Sequence, residues 1–226
     1  MALINCPECG KQISDKAPNC PNCGYPINMS AATPSSNTAT ASKNLLILAH
    51  RAKEEGNAEK ASLYYEQILL SDPDCWEAYF YSTYFSALAS KKGELYNTVS
   101  KIINCEKHTF MLIASNVNSK EEQRDAANEL VEALNSISKI FIKTLNELCV
   151  KLQREPGLFR TKEYYMLMDS TQYHELCPRI IDILSSASIL IKNSLGKDFD
   201  DIAQKSENYS SMLYNSLIFK YDPKKK

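Results

Sequence analysis

Four of the eight cysteines lie within one short N-terminal stretch, at Cys6, Cys9, Cys20 and Cys23, with the spacing C-x2-C-x10-C-x2-C. The two halves nearly repeat, as Cys6-Pro7-Glu8-Cys9-Gly10 and Cys20-Pro21-Asn22-Cys23-Gly24. Two thiolates two residues apart can face one ion only if the chain turns sharply between them. Proline fixes φ as that turn begins, and the glycine tolerates the open backbone beyond the second cysteine. Two such turns deliver four sulfurs, the closed tetrahedral shell that zinc takes, with no position left for a substrate. An iron site of four sulfurs has the same geometry, and two disulfides would consume the same four residues. A dense cluster in a reducing compartment reads first as metal binding, so one structural zinc is the expectation.

The remaining four cysteines, Cys75, Cys105, Cys149 and Cys177, are scattered singly and read as small buried hydrophobes. One constellation among them is the pair Cys105/His108 and His174/Cys177, in which each thiol and imidazole lie three residues apart. The two pairs could hold a second metal only if their segments were neighbours, and Pro178 threatens the helical geometry of the second pair. No GxxxxGK[ST], GxGxxG, GxSxG or HExxH is present, and only three histidines occur. The expectation is a protein that is not an enzyme.

Residues 3–28, LINCPECGKQISDKAPNCPNCGYPI, resemble the short zinc-ribbon modules that head many bacterial proteins. The likeness rests on both CPxCG knuckles, Ile13 in the intervening hairpin, Ala17, and Tyr25-Pro26-Ile27. It implies a four-cysteine zinc ribbon over residues 1–28 and is nearly silent on function. Nucleic-acid binding is the less favoured use, because Lys11 and Lys16 are offset by Glu8 and Asp15 and Tyr25 is the single aromatic.

The elements that must carry this module follow. Residues 29–42, MSAATPSSNTATAS, hold no charge, aromatic or periodicity, and predict a flexible linker that tethers the ribbon. From residue 43 to 221 the pattern is helical, ending in a basic tail at 222–226, so the predicted class is mainly α with a small four-cysteine zinc ribbon in front. Leu45, Leu48, Ala49 and Ala52 share one face of a first helix, which breaks at Glu55-Gly56-Asn57. A second helix buries Ala61, Tyr65 and Ile68 before Asp72-Pro73, and a third opens with Asp74 as cap and Glu77 completing the box. Further on, Glu94 to Ile113 predicts a helix, and Ser119-Lys120-Glu121-Glu122 caps a long one running to about Arg154. That helix carries a stripe of Leu130, Leu134, Ile137, Phe141, Leu145, Leu148 and Leu152. Lys162 to Met168, Pro178 to Leu195 and Asp198 to Tyr221 complete the prediction, with Pro178 as the first residue of its helix.

Residues 42–92 resemble tetratricopeptide repeats, with 42–75 matching one 34-residue helix-turn-helix unit and Trp76-Glu77-Ala78-Tyr79 opening a second in register. The resemblance implies that first helices of successive repeats line a concave surface, which would place Lys43, Leu46, His50, Lys53, Phe80 and Tyr84 on it. Aromatic groups with a few cations suit a groove for a protein or peptide partner. The expectation is therefore a non-enzymatic, zinc-binding interaction protein; the alternative is a thiol redox sensor in which oxidation of the four ribbon cysteines ejects zinc. The net charge of −1 argues against nucleic acid or acidic membrane as a bulk electrostatic partner. No apolar run spans a membrane, since Ile180 to Leu195 is broken by Asp182, Lys192 and several serines. With no basic and apolar leader at Met1–Cys6, the expected location is the cytoplasm.

Overall fold

The computed structural model describes residues 3–15, 17–23, 25, 27, 37–153 and 170–218. These form a two-stranded hairpin and seven helices, divided between two compact units, residues 1–89 and 90–226. No helix among the described residues is long and apolar enough to cross a membrane.

In the first unit, β1 (Leu3–Asn5) pairs antiparallel with β2 (Gln12–Ser14), with Ile4 opposite Ile13. Helices α1 (Asn37–Glu54), α2 (Ala58–Ser71) and α3 (Trp76–Leu88) follow, α1 packing on α2 and α2 on α3. The reversal between α1 and α2 takes three residues, Glu55 to Asn57. Gly56 has φ +70°, the left-handed conformation that ends a helix cheaply only when no Cβ is present. Its N–H bonds the Lys53 carbonyl at 3.1 Å and the next N–H, of Asn57, reaches back to Ala52 at 2.9 Å, which is a Schellman closure. Asn57 is also the N-cap of α2, its Oδ1 accepting from the Lys60 N–H at 3.1 Å. Leu45, Leu48, Ala49 and Ala52 of α1 and Ala61, Tyr65 and Ile68 of α2 are buried, as their spacing requires. Tyr65 stacks on Tyr81 and Phe85 of α3, with ring centroids 5.3 and 6.1 Å apart.

Three expectations change here. Helix α1 starts at Asn37, so residues 37–42 of the predicted linker are helical. No proline lies between Pro34 and Pro73, the small residues cost only tenths of a kcal/mol each in a helix, and the packed face beyond them supplies the nucleus. The N-cap of α3 is Cys75, one residue beyond the predicted cap at Asp74, and its own side chain makes no cap bond. On α3 Phe80, expected on a concave surface, is buried together with Tyr81, while Tyr79 is half-buried.

The second unit contains α4 (Leu95–Asn116), α5 (Lys120–Gln153), α6 (Ser170–Ser194) and α7 (Asp200–Ile218). Side-chain pairs fix their directions. Arg179 to Tyr96 and Ser100, then Ser186 to Glu106, ascend together, so α4 and α6 run parallel. Lys120 to Asp198, then Tyr209 to Glu132, do the same for α5 and α7. Ser188 to Glu207, then Ser185 to Ser210, run in opposite senses and set α6 and α7 antiparallel. Ser119 caps α5, its Oγ accepting from the Glu122 N–H at 3.1 Å, and Leu130, Leu134, Ile137, Phe141 and Leu145 of the stripe are buried. The side chains of Leu148 and Leu152 and the predicted helix Lys162 to Met168 lie outside the described residues. Pro178 does not begin α6 but sits inside it, eight residues on, and is exposed, where water can meet a carbonyl that its missing N–H leaves unbonded.

Candidate metal centre

The first knuckle is the loop joining β1 to β2. Pairing of Asn5 with Gln12 brings its ends together, and inside it the Cys6 N–H bonds the Lys11 carbonyl at 2.9 Å while the Gly10 N–H bonds the Cys6 carbonyl at 2.8 Å. Gly10 has φ +70°, so the repeated glycine meets a real backbone demand. The second knuckle repeats the closure five residues apart, Cys20 N–H to the Tyr25 carbonyl at 2.7 Å. Lys11 Nζ donates to Asn22 Oδ1 at 2.7 Å and ties one knuckle to the other.

This brings Cys6, Cys9, Cys20 and Cys23 together, with their sulfurs all within 4.8 Å of one another. The Cys6–Cys23 and Cys9–Cys20 sulfur pairs are each 3.6 Å apart. A tetrahedron with Zn–S bonds of about 2.3 Å has edges of about 3.8 Å, so the donor set fits one zinc ion. Cys6 and Cys20 are buried with Ile13, while Cys9, Cys23, Tyr25 and Ile27 pack against that small core at intermediate exposure.

The backbone already favours thiolate at part of this site. The Lys11 N–H points at the Cys9 sulfur and holds that thiol down to about 6. At Cys20 burial works upward, but the N–H groups of Asn22 and Cys23 outweigh it and the thiol is lowered. Burial pushes Cys23 up to about 12, against the Tyr25 N–H. One shell thus contains sulfurs that ionise easily and one that does not without a cation. Bound zinc supplies that cation, and its binding releases the remaining protons.

The residues expected on a concave surface are placed differently from one another. Lys43 is exposed and Leu46 half-buried; both line an open pocket of about 310 Å³ with Ser42, Ile68, Ser71, Asp72 and Cys75. His50 Nε2 lies 2.5 Å from a Glu77 carboxylate oxygen, and Lys53 Nζ sits 3.8 Å from the Tyr81 ring centroid, so α1 meets α3 through polar side chains. Tyr84 is half-buried. Phe80 is a correction: it has no exposure and packs edge-on against Tyr81, with centroids 5.1 Å apart. On a helix this rich in aromatics, periodicity alone does not separate a core ring from a surface one.

The two thiols of the second thiol–imidazole constellation are not brought together, and the His174 side chain lies outside the described residues. Ser186 lies level with Glu106, and Arg179 reaches Tyr96 and Ser100. That offset places Cys105 beside residue 185 and Cys177 beside residue 97, about 12 Å apart along the helix axes.

Three contacts near these residues were not foreseen from the sequence. Glu8, inside the first knuckle, accepts hydrogen bonds from Tyr64 and Lys60 of α2, so the ribbon touches the helices as well as being joined to them. Glu77 as the partner of His50, and Asp72 with Cys75 at the pocket, are the other two. The i, i+4 spacing of Lys60 and Tyr64 was the one signal available for the first.

A zinc-ribbon domain family matches residues 2–27 of the chain. Neither a curated protein nor a solved structure matches it.

Proposed function

We propose that the protein is a non-enzymatic, cytoplasmic interaction protein in which a structural zinc ribbon precedes a tetratricopeptide-like helical scaffold that binds a peptide or protein partner. The observation that carries this reading is the open pocket at the α1, α2 and α3 junction, lined by Lys43, Leu46, Asp72 and Cys75. It offers an apolar floor with one cation and one carboxylate at its edge. Its volume of about 310 Å³ is at the lower limit of small-molecule sites, and suits an anchoring side chain of an extended peptide better than a free ligand. The ladder of His50 with Glu77 and Lys53 with Tyr81 continues along the same α1/α3 face and would supply polar recognition beside that anchor. Selection of a displayed peptide library on the zinc-loaded chain tests the reading. Enriched peptides are expected to lose binding to Leu46→Asp while the melting curve of the variant holds. Peptides that bind the variant equally, or no enrichment at all, would overturn it.

The redox alternative draws support from Cys9 and Cys23, which are only half-buried, and from the 3.6 Å sulfur pairs. Two thiolates of a pair can pass two electrons to a peroxide, forming one disulfide and water and releasing zinc. Reversible zinc release under mild peroxide followed by reductant would favour it; slow, irreversible release would leave the site structural.

A further inference from the structure

We propose that the metal-bound knuckle is latched to α2, so that zinc occupancy of the ribbon and the covering of Tyr64 are one equilibrium. The latch is Glu8. It stands between Cys6 and Cys9, in the first of the two turns whose shape the metal fixes. Its two carboxylate oxygens are both used: Oε1 accepts from Lys60 Nζ at 3.3 Å, and Oε2 accepts from the Tyr64 hydroxyl. Lys60 and Tyr64 are four residues apart on α2 and so share one face, a hydroxyl and an ammonium placed to grip one anion.

Tyr64 is only 5% exposed. Its own burial, the hydrogen bond to Glu8 and the nearby Tyr25 and Cys23 all raise the phenol above its ordinary value, which places the ring against the ribbon. Glu8 and Tyr25 belong to different knuckles, so the docked face exists only while both knuckles are closed around the ion.

The ribbon has little else to keep that shape. Among the described residues its buried ones are Cys6, Ile13 and Cys20, and two of these three are metal ligands. A core this small does not hold a fold without its ion. Stripping zinc opens the turn, removes the carboxylate from Tyr64 and Lys60, and uncovers the α2 face. Linkage makes the effect reciprocal: contacts on α2, outside the coordination shell, strengthen zinc binding by the same factor. The ribbon's metal state is in this way reported to the helical scaffold, whether or not that scaffold binds a peptide.

The test uses the full chain. Zinc affinity is measured by competition with a chromogenic chelator for wild type, Tyr64→Phe and Lys60→Gln, and amide exchange along α2 is followed with zinc and after its removal. Tyr64→Phe keeps the ring and loses only the hydroxyl; loss of one hydrogen bond to a charged group predicts about ten-fold weaker zinc binding. Lys60→Gln, on a half-exposed side chain, predicts about two- to three-fold. Zinc removal is expected to speed exchange at residues 60–65 of α2 and leave α6 unchanged. Zinc affinity of Tyr64→Phe within two-fold of wild type, or exchange along α2 indifferent to zinc, would overturn the latch.

Discussion

Glu106 gives the sharpest test of the second unit, because it places an ionisable group where water cannot reach it. The side chain has no exposure; Oε2 accepts from Ser186 Oγ at 2.8 Å, and Oε1 has no partner among the described residues. Burial pushes this carboxyl from an ordinary 4.5 up to about 8, with the Ser186 hydrogen bond acting weakly the other way. The sign follows from proton counts. Between those two values the unfolded chain has released the proton and the folded chain still holds it, so stability falls as pH rises, by about 1.4 kcal/mol per unit, and levels off above about 8. At pH 7 the accumulated loss relative to acid conditions is about 3 kcal/mol. Glu106→Gln keeps the shape and an acceptor for Ser186 but cannot ionise. Its buried amide N–H groups need a partner, which costs about 1 kcal/mol. The variant is therefore expected to match wild type near pH 5 and to exceed it by about 2 kcal/mol at pH 7. Urea melts of both proteins at pH 5, 6, 7 and 8, with amide exchange assigning the transition to α4 and α6, measure the difference. A gap between the two proteins that stays constant with pH would refute the buried, neutral carboxyl.

Two further outcomes follow from the first unit. Protein purified without added metal is expected to carry one zinc per chain by elemental analysis and to lose it on acidification, as protons compete for the four thiolates; a zinc-free preparation whose ribbon remains folded would contradict this. Phe80→Ala is expected to destabilise by about 3–5 kcal/mol in urea melts, close to Leu48→Ala, whereas the half-buried Tyr84→Ala loses less; a Phe80 variant as stable as wild type would put that ring back on the surface.

What could be read ahead of the structure was local. The C-x2-C spacing forces a turn, and the turn forces the sulfurs to one side, so the donor set was legible from two five-residue segments. Gly56-Asn57 announced a helix end and a helix start because a left-handed glycine and an Asn cap each act within four residues. Ser119 and Glu122 did the same for α5. Periodicity located the buried faces of α1 and α2, where polar residues interrupt apolar ones. It failed on α3, whose sequence WEAYFYSTYFSAL is aromatic on several faces, so that Tyr79, Phe80 and Tyr81 competed for the same inward direction. It also failed at Pro178, where a rule about helix starts gave the wrong boundary by eight residues.

The contacts between distant segments were illegible for a different reason: each joins residues whose meeting depends on the fold. Glu8 meets Tyr64 across 56 positions, His50 meets Glu77 across 27, and Glu106 meets Ser186 across 80. A glutamate in a CPxCG knuckle reads as solvated, and a glutamate between Cys105 and Lys107 reads as a surface charge on a helix. Only the offset between α4 and α6 turns the second into a buried acid, and only the docking of the ribbon turns the first into a ligand for α2. The same offset dismantles the Cys105/His108 and His174/Cys177 constellation, whose internal spacing was sound and whose two halves lie about two helical turns apart. Spacing within a segment therefore identified the chemistry of the ribbon, while the register between segments decides which of its neighbours responds to that chemistry.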